Sequence, residues 1–170
     1  MALIKELRGF IPKIGEDCFL AENATLIGNI TMGNQCSIWY GAVLRGDVNA
    51  IILGDKVNIQ DNATVHCTFE KAKTIVGNNV TVGHNAIIHG CILHDNVLIG
   101  MGAIVLDDAV VESGSIVAAG AVVTSGTHIG KGELWAGIPA KKIKDIAIEN
   151  QKNTIERLAD SYVEYAKWYK

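Results

Sequence analysis

The chain has 170 residues, which is the length of one domain with a continuous core. Hydrophobic residues make up 49% of the chain and charged residues only 19%, so disorder is excluded. A net charge of -3 and a pI near 5.9 leave no surplus of lysine and arginine to neutralise phosphates. Nucleic acid and anionic membranes are therefore disfavoured as partners, and a small molecule is favoured.

Targeting signals are not expected at the start of the chain, because Lys5 and Glu6 interrupt the apolar residues before a signal-peptide core can form. The longest apolar stretch, about residues 116 to 123, is much shorter than the ~20 residues that span a bilayer. We therefore expect a soluble, cytoplasmic protein.

An aliphatic residue recurs every six positions through most of the chain. From Ile14 onward, nineteen repeats begin with Ile, Leu, Val or Met, with extra residues before Leu53 and Val76. The fourth residue of most repeats is Asn, Asp or Gly, and these types tolerate the positive φ of a sharp corner. A short strand followed by a corner every six residues predicts a parallel β-helix with three strands in each 18-residue coil.

This spacing resembles the hexapeptide-repeat family, whose members form a left-handed β-helix of triangular section and usually assemble as trimers. The left-handed sense comes from that resemblance, since the ordinary crossover rule favours right-handed connections. We expect an all-β fold, a left-handed parallel β-helix of hexapeptide repeats with a C-terminal α-helix. The β-helix domain is predicted over residues 1–140, with its repeats over about 14–135.

The six-residue period stops near residue 139, and a helical tail is predicted over 141–170. Apolar residues from Ile155 to Tyr169 follow the i, i+3, i+4, i+7 spacing of an amphipathic helix. Asn153 followed by Glu156 favours a helix start near residue 153. The apolar stripe of the tail is expected to pack along one flank of the β-helix.

Two histidines fall in one column when the repeats are counted in threes. The second residues of consecutive third-face repeats are Arg45, His66 and His89. Because parallel strands stack ~4.8 Å apart, the rings of His66 and His89 are expected side by side. Two imidazole nitrogens on one tetrahedral zinc lie about 3.4 Å apart, so one metal can bridge the pair.

A third histidine, His84, falls on another edge of the triangle. The third residues of consecutive second-face repeats are Tyr40, Asp61 and His84, and this edge is more than about 10 Å from the His66 column. If three prisms pack about a threefold axis, the second-face edge of one subunit meets the third-face edge of the next. The site then has three histidine ligands between subunits and an open fourth position.

A single surface histidine is usually just solvated. Two histidines in a stacked column, with a third at the matching height, favour a metal site instead. His94 and His128 fall outside these columns and are expected to be ordinary surface residues.

The residues around these histidines resemble those of γ-class carbonic anhydrases. The resemblance rests on three segments: Arg45-Gly46-Asp47, Asn58-Ile59-Gln60-Asp61-Asn62 with His66, and Gly83-His84-Asn85-Ala86-Ile87-Ile88-His89-Gly90. It implies that His66, His84 and His89 are metal ligands. It also implies that Arg45 and Asp47 support the subunit interface, that Gln60 and Asp61 sit beside the metal-bound solvent, and that Tyr162 lies near the site.

The chemistry expected of such a site is the reversible hydration of CO2 to bicarbonate. Three neutral imidazoles do not neutralise the positive charge of the metal. That charge lowers the pKa of bound water to about 7, so hydroxide is available at neutral pH to attack CO2. Zinc is expected, although iron or cobalt also suits an all-histidine ligand set. Gln60 could hydrogen-bond the nucleophile or CO2, and Asp61 could orient Gln60 or pair with Arg45. A purely structural salt bridge remains open for Arg45, Asp47 and Asp61.

The route by which the proton leaves is the weak point of this prediction. In the best-known branch of the family, glutamates carry the proton, but Val48 follows Asp47 here and Glu70 is the one local carboxylate candidate. Turnover is therefore expected to be low, buffer-dependent or nil.

Two other functions remain open on the same scaffold. One is a CoA-dependent acyltransferase or thioesterase, and the other is a catalytically silent trimer linked by metal. Metal content, CoA binding and CO2 hydration distinguish the three.

Overall fold

The computed structural model describes residues 1 to 169, which form a stack of parallel β-coils flanked by a C-terminal helix. The strands are, in chain order, β1 (Leu3–Lys5), β2 (Phe19–Leu20), β3 (Thr25–Met32), β4 (Ser37–Ile38), β5 (Val43–Leu53), β6 (Asn58–Ile59), β7 (Thr64–His66), β8 (Thr74–Val76), β9 (Thr81–Val82), β10 (Ile87–His89), β11 (Ile92–Leu93), β12 (Leu98–Ile99), β13 (Ile104–Val105), β14 (Val110–Val111), β15 (Ile116–Val117), β16 (Val122–Val123), β17 (His128–Ile129), β18 (Glu133–Ala136) and β19 (Lys141–Asp145). The predicted all-β fold, a left-handed parallel β-helix with a C-terminal helix, is confirmed.

Three flat faces are built from every third strand. The second face stacks β2, β4, β6, β9, β12, β15 and β18, while β7, β10, β13 and β16 extend the third face above β5. The strands β3 and β5 each turn a corner and so also belong to the first face, which continues through β8, β11, β14 and β17. The strand β1 pairs with β3 at the first coil.

The predicted register of the repeats is confirmed. On the third face Leu44 pairs with Val65, and Val65 pairs with Ile88. All three side chains are fully buried in the apolar interior of the prism, as the aliphatic first residues of most repeats are. Because side chains alternate across a strand, burial of these residues turns the residues that follow them outward.

The predicted corners are also confirmed. Asn62, Asn79, Asn85 and Asn96 all have φ between 56° and 58°, in the left-handed region that asparagine tolerates better than most residues. These corners let the chain pass from one face of the triangular prism to the next within six residues.

The tail differs from its prediction in two respects. Residues 141–145 form β19, which pairs antiparallel with β18, so the first part of the tail is strand rather than helix. The helix begins with α1 (Ile148–Gln151), passes through one π-helical turn (Lys152–Glu156) and continues as α2 (Arg157–Lys167). The predicted start near Asn153 is therefore wrong: the residue before the helix is Ala147, which has no capping side chain, and Asn153 lies within the π-turn.

The apolar stripe of the helix packs on the flank of the β-helix, as predicted. Ile155, Ala159 and Ala166 are buried, and the ring of Tyr162 lies 5.4 Å from that of Trp39. The helix runs back along the second face, against the direction in which the coils stack. In the first part of the helix, the side chain of Gln151 lies beside Gly114 and Gly132, near the last coils. Beyond its end, the Tyr169 ring lies 5.4 Å from that of Phe19 in an early coil.

Among residues 1–169, none of the helices combines the length and apolar character needed to cross a bilayer.

Candidate metal centre

His66 and His89 lie side by side on the outer surface of the third face. Their Cα atoms are register partners in β7 and β10, and their ring centroids are 5.0 Å apart. The Nδ1 atom of His66 lies 3.0 Å from the Nε2 atom of His89. Their side chains are 16% and 30% exposed, so solvent reaches both rings.

Each of these rings is held from its far side by a carboxylate. His66 Nε2–H donates to Asp47 Oδ1 at 2.9 Å, and His89 Nδ1–H donates to Asp107 Oδ1 at 2.6 Å. Arg45 donates to the other oxygen of Asp47, and Thr68 donates to the other oxygen of Asp107. Both rings are thereby fixed in orientation.

The donor atoms of this pair fit a divalent metal. With the outer nitrogens donating to carboxylates, the inner nitrogens of His66 and His89 keep their lone pairs and face each other across 3.0 Å. Two lone pairs at that distance repel unless a cation or a shared proton lies between them. Their separation is close to the ~3.4 Å expected of two nitrogen ligands on tetrahedral zinc, and carboxylates behind histidines are typical of metal sites.

The electrostatics of the two carboxylates follow from these contacts. Burial alone raises the pKa of Asp47, but hydrogen bonds from His66 and Arg45 outweigh it and hold the pKa below its ordinary value. Burial likewise raises the pKa of Asp107, and hydrogen bonds from Thr68 and His89 outweigh it, so that this pKa is lowered too. Both groups stay ionised at neutral pH and stabilise positive charge on the imidazole side.

His84 lies on the second-face edge beside the C-terminal helix. Its Nδ1 is 2.8 Å from Asp61 Oδ2, and both side chains are 35% exposed. Together with Trp39, Tyr40 and Tyr162 they line a cavity of about 240 Å³. This edge carries the same pairing of histidine with carboxylate as the third face.

Tyr162 places its ring in the same cavity. Burial is the main cause that raises the pKa of its phenol to about 12, and the negative charge of Asp61 adds to the effect. Tyr162 therefore stays neutral at physiological pH and can only donate or accept a hydrogen bond there.

The single chain does not bring the three predicted ligands together. Over residues 1–169, no three His, Cys, Asp or Glu side chains converge as a metal-binding group. This agrees with the expectation that His84 cannot join the histidine pair of its own chain.

Gln60 occupies a position that the sequence did not specify. It is 3% exposed on the second face, and its Nε2 donates to Asn58 Oδ1 at 3.0 Å. Asn58 in turn donates from Nδ2 to Thr81 Oγ1 at 2.8 Å. The amide group of Gln60 is thus held within its own chain, and its predicted contact with the reacting solvent stays a prediction.

Glu70 lies in the short loop after β7, where its φ is 50°. It lines a cavity of about 290 Å³ together with Arg8, Asp47 and Phe69. The candidate carboxylate therefore opens onto the same cavity as the carboxylate that holds His66, and the choice between a proton carrier and a solvated loop charge stays untested.

The two remaining histidines are surface residues, as predicted. His94 and His128 are exposed, and both approach Glu112, at 3.9 Å and 3.3 Å.

Asp107 and Thr68 are the site residues that the sequence prediction missed. Asp107 lies 18 residues after His89, but Ile88 pairs with Val105, so counting one coil on from His89 leads to Leu106. Asp107 is one residue beyond that position, and the coil count alone would have led only to its neighbour.

Comparisons with known proteins agree with this arrangement of coils. The family model "Bacterial transferase hexapeptide (six repeats)" matches residues 11–46 and 90–125. A crystal structure of a hexapeptide transferase family protein from Anaplasma phagocytophilum superimposes with a TM-score of 0.93 at 41% identity, covering 99% of this chain and 98% of the other.

Sequence relatives carry a more specific description. The "Carbonic anhydrase" of Geobacillus kaustophilus is 40% identical over 168 residues, which cover 99% of this chain and 91% of the relative. The "Probable carbonic anhydrase" of Methanocaldococcus jannaschii is 50% identical over 143 residues, covering 84% and 89%. The chain spans 52% to 58% of the length of three mitochondrial γ carbonic anhydrases of Arabidopsis thaliana that it matches.

Proposed function

Because the chain belongs to the γ carbonic anhydrase family of hexapeptide-repeat proteins, we propose that it catalyses the reversible hydration of CO2 to bicarbonate. A divalent metal would be held by His66 and His89 of one subunit and by His84 of the next subunit in a homotrimer. Zinc is the metal proposed, with iron or cobalt as alternatives that the same ligands accept.

The facing inner nitrogens of His66 and His89 are the observation that carries this proposal. These nitrogens lie 3.0 Å apart, and the outer nitrogens of the two rings are committed to Asp47 and Asp107. Two nitrogens fixed in this way gain stability from a shared cation, and within residues 1–169 each has the other as its hydrogen-bond partner.

The charge balance of the completed site supports a divalent ion. The three histidines are backed by Asp47, Asp61 and Asp107, and Arg45 is bound to Asp47. Three negative charges and one positive charge leave a net charge of about -2, which a divalent cation neutralises.

The trimer is proposed because one chain alone supplies an incomplete ligand set. His84 lies on a different edge of the prism from His66, and each edge exposes its histidine to solvent. A threefold arrangement joins the two kinds of edge in a head-to-tail contact and produces three equivalent sites.

The metal, when bound, supplies Lewis acidity that makes water a nucleophile at neutral pH. Asp47 accepts an N–H from His66 and so holds the lone pair of the opposite nitrogen toward the site, and Asp61 Oδ2 lies 2.8 Å from Nδ1 of His84. Arg45 fixes Asp47 and lies at the proposed subunit contact. Gln60 is proposed to act on CO2 or the attacking water only if the neighbouring subunit redirects its amide.

The test combines metal analysis of the purified protein with stopped-flow CO2 hydration on the parent, on His84→Ala and on His94→Ala. The parent should contain about one metal ion per chain, and His84→Ala should lose most of the metal and at least about 100-fold in rate. His94→Ala is the matched control, because His94 is exposed, lies near Glu112 and is not one of the proposed ligands.

Three results would overturn the proposal. A metal-free parent, or His84→Ala with full metal and full rate, would remove the three-histidine site. A parent that holds metal without hydrating CO2 would indicate a metal-linked trimer instead, and a parent that binds and turns over an acyl-CoA would indicate the acyltransferase or thioesterase.

A further inference from the structure

Asp107 connects His89 to a loop that the proposed mechanism does not use. Asp107 Oδ1 accepts the Nδ1–H of His89 at 2.6 Å, and Asp107 Oδ2 accepts the hydroxyl of Thr68. Thr68 opens the short loop whose backbone closes on Ala72 by two-way hydrogen bonding. Both oxygens of one carboxylate are therefore committed, one to the histidine and one to the loop.

The backbone beside His89 leaves room for this carboxylate. A Cβ atom at Gly90 would lie 2.3 Å from Asp107 Oδ1 and 2.8 Å from the Cβ of Ala72. Any side chain at position 90 would displace the carboxylate or the loop. Gly90 also donates from its backbone N–H to Thr74 Oγ1 at 2.9 Å, and Thr74 donates to the carbonyl of His66. The two histidine strands and the carboxylate are thus fixed relative to one another.

We propose that Asp107 is the positioning residue of His89, and that Thr68 holds Asp107 in place. The carboxylate keeps the proton of His89 on Nδ1, so that the lone pair of Nε2 points at His66 and is available to a metal. The inference deepens the proposed function, since it rests on the metal site between His66, His89 and His84. Asp107 acts through His89 and has no contact of its own with the facing nitrogens.

The experiment compares Asp107→Asn with Asp108→Asn in the full-length protein. Asp108 is the matched control, because it adjoins Asp107, is 56% exposed, and forms an ion pair with the exposed Lys71 at 3.9 Å. Two quantities are measured: the protonation pattern of the His89 ring in the metal-free protein, by long-range 1H–15N correlation, and the affinity for Zn²⁺, by competition with a chromogenic chelator.

For Asp107→Asn we expect both tautomers of His89 to become populated, because an amide accepts a hydrogen bond more weakly and can also donate one. The affinity for Zn²⁺ should fall about 10- to 100-fold, the usual effect of losing a group that orients a metal ligand. Asp108→Asn should leave both quantities as in the parent.

Thr68→Val provides a second variant with a smaller perturbation. It removes the hydroxyl that holds Asp107 while keeping the shape of the side chain, so it should reduce Zn²⁺ affinity by less than Asp107→Asn does.

The tautomer measurement separates this inference from the proposed function. If the parent fails to bind Zn²⁺, the proposed function is wrong, and the tautomer of His89 in metal-free Asp107→Asn still decides whether Asp107 positions the ring. An unchanged tautomer of His89 in Asp107→Asn would overturn the inference, and so would a Zn²⁺ affinity of Asp107→Asn equal to that of a parent that binds the metal.

Discussion

The edge with His66 and His89 and the edge with His84 differ in how much of a site each builds within its own chain. On the first edge, coil stacking alone brings two rings to 5.0 Å, and each has its own carboxylate. On the second edge one ring has one carboxylate, and the surrounding surface is aromatic and comes partly from the C-terminal helix. The first edge depends on strand register, whereas the second also depends on how the helix packs.

In the proposed trimer the two edges are complementary rather than redundant. The first edge supplies two ring nitrogens that could share a cation, and the second supplies one histidine in a cavity beside neutral Tyr162. A site that needs both edges should lose CO2 hydration when either edge is changed. The activity should return when an intact edge of each kind, from different subunits, meets in one trimer.

The largest expected effect comes from mixing inactive variants. His84→Ala and His89→Ala should each lose at least about 100-fold in CO2 hydration, because each removes one proposed ligand. When the two are unfolded together and refolded as mixed trimers, about a quarter of the sites should combine an intact His84 with an intact pair, and about a quarter of the parental rate should return.

The control for this mixing experiment uses two variants of the same edge. His66→Ala mixed with His89→Ala should recover nothing, since every subunit then lacks one member of the pair. No recovery in the first mixture would place the site within a single chain. Recovery in the control would show that His66 and His89 need not come from the same chain, which contradicts the proposed pair.

A smaller effect is expected from loosening the helix on the second edge. Trp39 is buried beneath the helix, with its ring 5.0 Å from that of Phe19 and its Nε1 donating to Ser37 Oγ at 2.9 Å. Trp39→Ala should lower the free energy of unfolding by about 3 kcal/mol, as loss of a buried large aromatic side chain does. Urea unfolding at fixed protein concentration measures this, while the tautomers of His66 and His89 should not change.

Trp168→Ala is the matched control for this variant, because Trp168 is 75% exposed. Its free energy of unfolding should stay within about 1 kcal/mol of the parent. Equal losses for the two variants would show that Trp39 does not anchor the helix.

The smallest effect is the pH dependence of the first edge. The pKa of Asp47 is lowered in the folded protein, so its contribution to stability is present above its ordinary value of 3.8 and is lost as the pH falls through the lower folded value. At pH 7, Asp47→Asn should lower the free energy of unfolding of the metal-free protein by about 1 to 2 kcal/mol. The gap between variant and parent should narrow below about pH 4.

Urea unfolding between pH 3 and pH 7 measures that gap. Asp160→Asn serves as the control, since it removes only an exposed ion pair with Lys56 and should cost less than about 1 kcal/mol. A gap for Asp47→Asn that stays constant down to pH 3 would contradict the assigned contacts.

The parts of the fold that depend on local spacing could be predicted from the sequence. Burial of an aliphatic residue every sixth position fixes the strands, their register and the column of His66 and His89. The start of the helix could not be predicted, because Ala147 offers no capping side chain and a π-turn follows at residues 152–156.

The parts of the site that depend on contacts between coils were only partly predictable. Asp107 was missed because it lies one residue beyond Leu106, the position to which the coil count leads from His89. The orientation of Gln60 depends on hydrogen bonds to Asn58 on its own face, and no repeat pattern encodes these. The proposed meeting of His84 with the pair on the other edge would depend on a second chain, which no pattern within one sequence describes.

The length of the helix that returns along the second face matches the height of the coils it covers. From Gln151, beside Gly114, to Tyr169, beside Phe19, the helical rise is about 27 Å, which spans between five and six coil spacings of about 4.8 Å. One coil is thus equivalent in length to about three helical residues. If the prism gained or lost a whole coil, the helix would have to lengthen or shorten by about one turn for the contacts at both of its ends to be kept.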